Sequence, residues 1–99
     1  MSVEYGNAEK LVAIYNELDA YMEKSLSNLQ KEAPYGYARR IDRLSETGNK
    51  TIQTYRALLK SYGELRNAIV HDYKGDERII AQPMTEEVLK FEELKNIVI

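Results

Sequence analysis

Apolar residues recur at helical spacing along most of this chain, and that spacing limits the fold more than any other feature. Across residues 8 to 29, Ala8, Leu11, Val12, Ile14, Tyr15, Leu18, Tyr21, Met22, Ser25, Leu26 and Leu29 fall on one arc of a helix. Glu9, Asn16, Glu17, Glu23 and Lys24 fall on the opposite arc. Asn7 is positioned to cap the start of this helix. Pro34 and Gly36 then break the pattern.

A shorter helix is predicted from Tyr37 to about Glu46, with Ala38, Ile41 and Leu44 facing inward. Arg39, Arg40 and Arg43 make it the most basic element of the chain. Thr47-Gly48-Asn49 reads as a helix end and turn. A third helix is predicted from about Lys50 to His71, with Ile52, Tyr55, Leu58, Leu59, Tyr62, Leu65 and Ile69 as its apolar stripe. Tyr73-Lys74-Gly75-Asp76 has turn chemistry, and Arg78-Ile79-Ile80-Ala81 reads as extended up to Pro83. Thr85 is placed to cap a last helix over Glu86 to Ile97, with acids in its first turn and Val88, Phe91 and Leu94 inward. The expectation is an all-α, up-down bundle of four to five helices, forming one domain over residues 1–99.

A chain of 99 residues can bury one core, and at this size it often leans on a partner chain. It contains no cysteine, which excludes disulfides and thiolate chemistry. A formal net charge of −2 argues against binding long nucleic acid by bulk electrostatics, so any nucleic-acid contact must be local and no DNA partner is expected. No apolar run reaches the ~18 residues of a spanning helix, and the first ten residues lack the apolar core of a signal peptide. The expected setting is cytoplasmic, without a membrane partner. Eight tyrosines stand against one phenylalanine and no tryptophan. Tyrosine buries a ring but wants a partner for its hydroxyl, which implies a core with wet edges or an interface.

The stretch LRNAIVHDY, at the end of the third predicted helix, holds an arginine among apolar positions and a lone histidine at the helix tail. Arg66 falls within the apolar arc, between Tyr62 and Ile69. A charge there is costly unless it is paired or lies at a cleft or interface. One reading is an ion pair with a carboxylate on another helix; the other is a guanidinium presented to an anion in a groove. His71 is the only histidine. On an ideal helix it lies about 140° round from Arg66 and ~7.5 Å further along, so the two side chains would not meet. Capping the helix end is the plainer role for it. Asn67 stands four residues before His71, and on a continued helix it could orient the imidazole and fix its tautomer. Tyr73 would share a face with Arg66 if the helix continued.

These residues resemble a known motif. Arg66-Asn67-Ala68-Ile69-Val70-His71 is similar to the Arg, polar residue, three further residues, His pattern of the HEPN superfamily of small α-helical bundles. His71-Asp72-Tyr73 extends it to the Arg-x4-His-x-Tyr form of HEPN toxins paired with a minimal nucleotidyltransferase. The tail Ile80-Ala81-Gln82-Pro83, followed by a final helix, resembles a HEPN-like subgroup. The resemblance covers residues 50 to 94 and rests on helix pattern alone before that. The chain is shorter than a typical HEPN domain.

The resemblance implies a metal-independent endoribonuclease of the toxin or defence type, acting as a homodimer with two motifs at one cleft. A ribose 2′-hydroxyl would attack the adjacent phosphate, with His71 as general base or acid. Arg66 would neutralise the charge building on the phosphate, and Asn67 would orient a phosphate oxygen. Arg39, Arg40 and Arg43 are the candidate RNA contacts at the rim. Tyr73 matches the tyrosine that a nucleotidyltransferase antitoxin adenylylates in paired toxins, a change that adds bulk and negative charge beside Arg66. No metal or other cofactor is expected, since one histidine, no cysteine and no carboxylate cluster at ligand spacing offer no site. Two other classes stay open. In a catalytically inactive HEPN-like dimerisation or interaction module, Arg66 is structural, His71 caps the helix and tyrosine-rich surfaces join two chains. A nucleotide-sensing domain would put Arg66 on a ligand phosphate, though no Gly-rich phosphate loop follows a strand.

Overall fold

A computed structural model describes the backbone of residues 6–73 and 76–99, and the side chains of 6–70 and 78–99. Four helices carry most of these residues: α1 (Asn7–Asn28), α2 (Tyr37–Glu46), α3 (Lys50–Ile69) and α4 (Thr85–Val98). Helix α1 packs on α2, α3 and α4, and α3 packs on α2 and α4. The all-α expectation holds at that level, with one exception. Between α3 and α4 the chain forms a short antiparallel hairpin, β1 (Val70–Tyr73) and β2 (Asp76–Ile79).

The apolar stripes make one core. Ala8, Leu11, Leu18, Met22 and Leu26 of α1 are fully buried, as are Ile41 and Leu44 of α2, Ile52 and Leu59 of α3, and Phe91 of α4. Each lies on the arc expected from its spacing. The stripes are not covered throughout: Leu29, just beyond α1, and Leu58, in the middle of α3, are each about half exposed. On α2 the inward residue is Tyr37 and not Ala38, which is exposed. Tyr37 precedes Ile41 by one helical turn, so it continues the Ile41–Leu44 row. Its hydroxyl donates to the Leu59 carbonyl of α3 at 2.9 Å, which satisfies the polar end of a buried ring.

Three helix ends depart from the sequence reading. Helix α3 stops at Ile69, two residues short of His71. Val70 takes an extended conformation (φ −113°, ψ 121°), and the Ile69 carbonyl accepts from the Ile80 amide at 2.9 Å. Ile69 and Val70 are β-branched and favour the strand once a partner strand is offered. The ladder pairs Val70 with Ile79 and His71 with Arg78. The centre of the expected Tyr73–Asp76 turn, residues 74 and 75, lies outside the described residues.

Asn7 and Thr85 are the other two. Asn7 is the first residue of α1, preceded by Gly6 in the left-handed region, and makes no side-chain cap. Instead its buried amide Nδ2 donates to the Pro83 carbonyl at 3.0 Å and to Thr85 Oγ1 at 3.1 Å. The capping service at α1 comes from far along the chain: Gln82 Oε1 accepts from the Ala8 amide at 2.7 Å. Thr85 is likewise inside α4, behind Met84 at the cap position. The extended segment before α4 is therefore clasped to the start of α1.

Replacing Asn7 with Ala removes the donor and leaves the Pro83 carbonyl buried without it. A loss of about 1–3 kcal/mol is expected in urea unfolding. Asn7→Asp should lose a similar amount, because a carboxylate cannot donate to a carbonyl. A stable Asn7→Asp protein would show that the clasp contributes little.

Candidate functional site

The end of α3 opens onto a cleft built from three elements. Tyr15 of α1, Tyr37 of α2 and Gly63 of α3 form its inner wall. The rings of Tyr15 and Tyr37 stack at 4.4 Å with 26° between their planes. Gly63 lets this happen. A Cβ at that position would lie 2.8 Å from two atoms of the Tyr37 ring, so any side chain must displace a ring pinned by its own hydrogen bond. Burial is the main reason the Tyr37 hydroxyl holds its proton well above the ordinary tyrosine range, with Tyr15 and Asp19 adding to it.

Tyr35, Arg39, Lys60, Glu64 and Asn67 complete the cleft, which encloses about 510 Å³. Tyr35 is 91% exposed at the mouth. Lys60 is held at the rim by Asp42, whose Oδ1 lies 2.7 Å from Lys60 Nζ and 2.6 Å from Arg56 Nη2. The Lys60 hydrogen bond is the largest reason the Asp42 carboxyl sits below its usual range, with Arg56 assisting.

Arg66 stands beside this cleft. Its guanidinium carbon lies 5.1 Å from the centre of the Tyr15 ring, and Nη1 donates to Asn67 Oδ1 at 3.2 Å. Neither sequence reading anticipated the ring. A cation over an aromatic face is attracted by the ring's negative quadrupole, which offsets the cost of placing charge within the apolar arc. Tyr15 thus orients Arg66 from below while touching the cleft wall through Tyr37.

The three arginines of α2 separate. Arg39 is exposed and lines the cleft with Asn67. Arg40 is drawn into structure: Nη1 lies 2.8 Å from Asp19, Nη2 3.5 Å from Glu23, and Nε donates to the Pro34 carbonyl at 3.0 Å. Its role is to hold the loop before α2 against α1. Arg43 points away, 3.4 Å from Glu46 on a different surface.

Because α3 ends at Ile69, His71 belongs to strand β1 and not to a helix end. The spacing argument that put Asn67 and His71 on one helical face does not apply across that junction, and Val70 occupies the C-cap position. The same change removes the helical relation between Arg66 and Tyr73. The side chains of His71 and Tyr73 lie outside the described residues. Sequence reasoning missed Tyr15, Tyr35, Lys60 and Gly63 as parts of the site. The abundance of tyrosine was the available signal, since a buried ring whose hydroxyl needs a partner marks polar edges of a core.

Among the described residues no helix is long and apolar enough to cross a membrane. Comparison with protein-family models, curated proteins and solved structures returns no match to this chain.

Proposed function

We propose that the chain is a HEPN-like domain with an up-down bundle arrangement, acting in the cytoplasm as a homodimeric, metal-independent endoribonuclease of the toxin or defence type. One observation carries this reading. Asn67 of the Arg-x4-His pattern lines the same cleft as Arg39, with Arg66 hydrogen-bonded to Asn67 at its edge. A cationic fork, an amide and a second arginine beside exposed aromatic surface suit an RNA phosphate and the base attached to it.

In the proposed reaction a ribose 2′-hydroxyl attacks the adjacent phosphorus. His71 takes the hydroxyl proton, and the 5′-oxygen of the next nucleotide leaves with a proton supplied by a histidine. In a dimer whose two-fold axis passes beside the motif, the second His71 would serve that step. Arg66 balances the charge growing on the non-bridging oxygens. Tyr73 is the proposed adenylylation target of a nucleotidyltransferase antitoxin, whose action would silence the site.

Incubating a mixed RNA pool with the purified chain in EDTA tests the proposal. Fragments that accumulate in proportion to enzyme, together with a dimer in sedimentation, support it. Intact RNA after incubation with folded protein favours a catalytically inactive interaction module. That second reading has its own support: Leu58 of α3 and Ile97 of α4 are exposed along one apolar groove, a surface able to join two chains.

A further inference from the structure

We propose that the Tyr35 cleft is a subsite for one unpaired RNA base that carries an amine on its pairing edge, with that nucleotide's phosphate at Arg39. The proposal rests on the ribonuclease reading only for the choice of RNA as ligand. The cleft itself is described by its own chemistry.

Three observations carry it. First, Tyr35 keeps 91% of its surface in water although it lines a concave cleft. A tyrosine ring so exposed gains little for folding, and it offers a free π-face on which a base can stack. The inner wall of the same cleft is also aromatic, the stacked Tyr15–Tyr37 pair, and it is rigid because Tyr37 is bonded to the Leu59 carbonyl and packed on Gly63. Second, a volume of about 510 Å³ falls within the range of small-ligand sites, roughly 300–1,000 Å³, and suits a single nucleotide. Third, the polar groups are sorted by type. Arg39 supplies positive charge at the rim, beside a Lys60 that is already paired with Asp42. Glu64 and Asn67, one turn apart on α3, supply an acceptor and an amide.

Glu64 sets the preference. An ionised carboxylate only accepts, so it favours a base edge with an amine and disfavours one with a carbonyl at the same place. Cytosine carries the amine where uracil carries the carbonyl. The two rings are alike in size but differ also at N3, an acceptor in cytosine and an N–H donor in uracil, so it is the loss of preference in Glu64→Gln that ties the discrimination to this carboxylate. A nucleotide seated here lies beside Asn67, and the scissile phosphate would be its neighbour along the strand.

The test uses the full chain and short, fluorescently labelled oligomers of 2′-O-methyl cytidine and 2′-O-methyl uridine, which cannot be cut by 2′-hydroxyl attack. Binding is read by anisotropy at low salt. Cytidine oligomers should bind at least about fivefold tighter than uridine oligomers, from a discrimination of about 1–3 kcal/mol per good base contact. Tyr35→Ala should weaken cytidine binding about tenfold, while Tyr35→Phe stays within about twofold of wild type, because the stacking face is kept. Glu64→Gln should erase the cytidine preference. Tyr35 is at the surface, so circular dichroism should show an unchanged fold in its variants. Equal binding of both oligomers, wild-type affinity in Tyr35→Ala, or no binding at all would overturn the subsite. Ordinary RNA that binds through Tyr35 but stays uncut would uphold the subsite and overturn the ribonuclease reading.

Discussion

Phe91→Ala should bring the protein close to the edge of folding. Phe91 is fully buried and lies flat on Tyr62, with ring centres 4.5 Å apart and planes within 12°. This stack joins α4 to α3. Removing it deletes the largest buried side chain in α4 and leaves a cavity that Val88 and Leu94, fixed on the same helix, cannot close. Truncations of this kind cost about 3–5 kcal/mol. A small domain has only about 5–15 kcal/mol of stability to lose. The melting temperature should therefore fall by well over 10 °C, at about 4–8 °C per kcal/mol for a domain of this size. Leu89→Ala is the matched control. Leu89 is 59% exposed on the same helix, and its truncation should change stability by about 0.5 kcal/mol or less. A Phe91→Ala protein that melts within a few degrees of wild type would show that α4 is not part of the cooperative core.

On the proposed activity, His71→Ala and Arg66→Ala should have the largest effects. Removing a general acid or base lowers a rate by about 10²–10⁴-fold. Removing a group that stabilises developing negative charge costs about 10²–10³-fold. The two variants should differ in stability. Arg66 stacks on Tyr15 and bonds Asn67, so its removal takes away a cation–π contact as well as a charge. A modest drop in unfolding midpoint is expected, of about 0.5–2 kcal/mol. Arg66→Lys separates the roles. It keeps a cation near the Tyr15 ring but loses the planar fork, so stability should return while cleavage does not. Full cleavage by Arg66→Lys would reduce the arginine to a point charge. Unchanged cleavage in His71→Ala would remove the histidine from the chemistry.

How much of this was legible in the sequence depends on the range of the interaction. The α1 stripe was legible residue by residue, because Leu11, Ile14, Leu18 and Met22 obey a period that the helix backbone imposes. The turn at Gly48 was legible for a similar local reason: its φ of +91° follows the end of α2 at Thr47, and a glycine there carries no side-chain penalty. Local spacing failed where a distant group decided the outcome. Periodicity alone extends α3 to His71, since no breaker stands between. The strand 76–79 overrides it by offering Val70 and His71 a ladder. Asn7 has the composition of a cap, yet it serves as a donor to Pro83 and Thr85, far along the chain.

The candidate site divides in the same way. Arg66 stood out because a charge in an apolar arc needs a physical excuse, and the structure places it over the Tyr15 ring and bonded to Asn67 at the cleft edge. The excuse itself, the Tyr15 ring, sits on another helix and cannot be read from spacing. Of the three arginines on α2, the sequence gives no means of choosing. Only packing shows Arg40 tied to Asp19 and Arg39 facing the cleft with Asn67.

The chemistry of the cut ends is the most direct measurement of the central proposal. RNA incubated with wild-type protein in EDTA would be analysed for the groups at each new end. Attack by the ribose 2′-hydroxyl leaves a cyclic phosphate on one fragment and a 5′-hydroxyl on the other, and the account predicts both, absent in a His71→Ala preparation of equal fold. Ends bearing a 3′-hydroxyl and a 5′-phosphate, or no new ends from well-folded wild type, would contradict it.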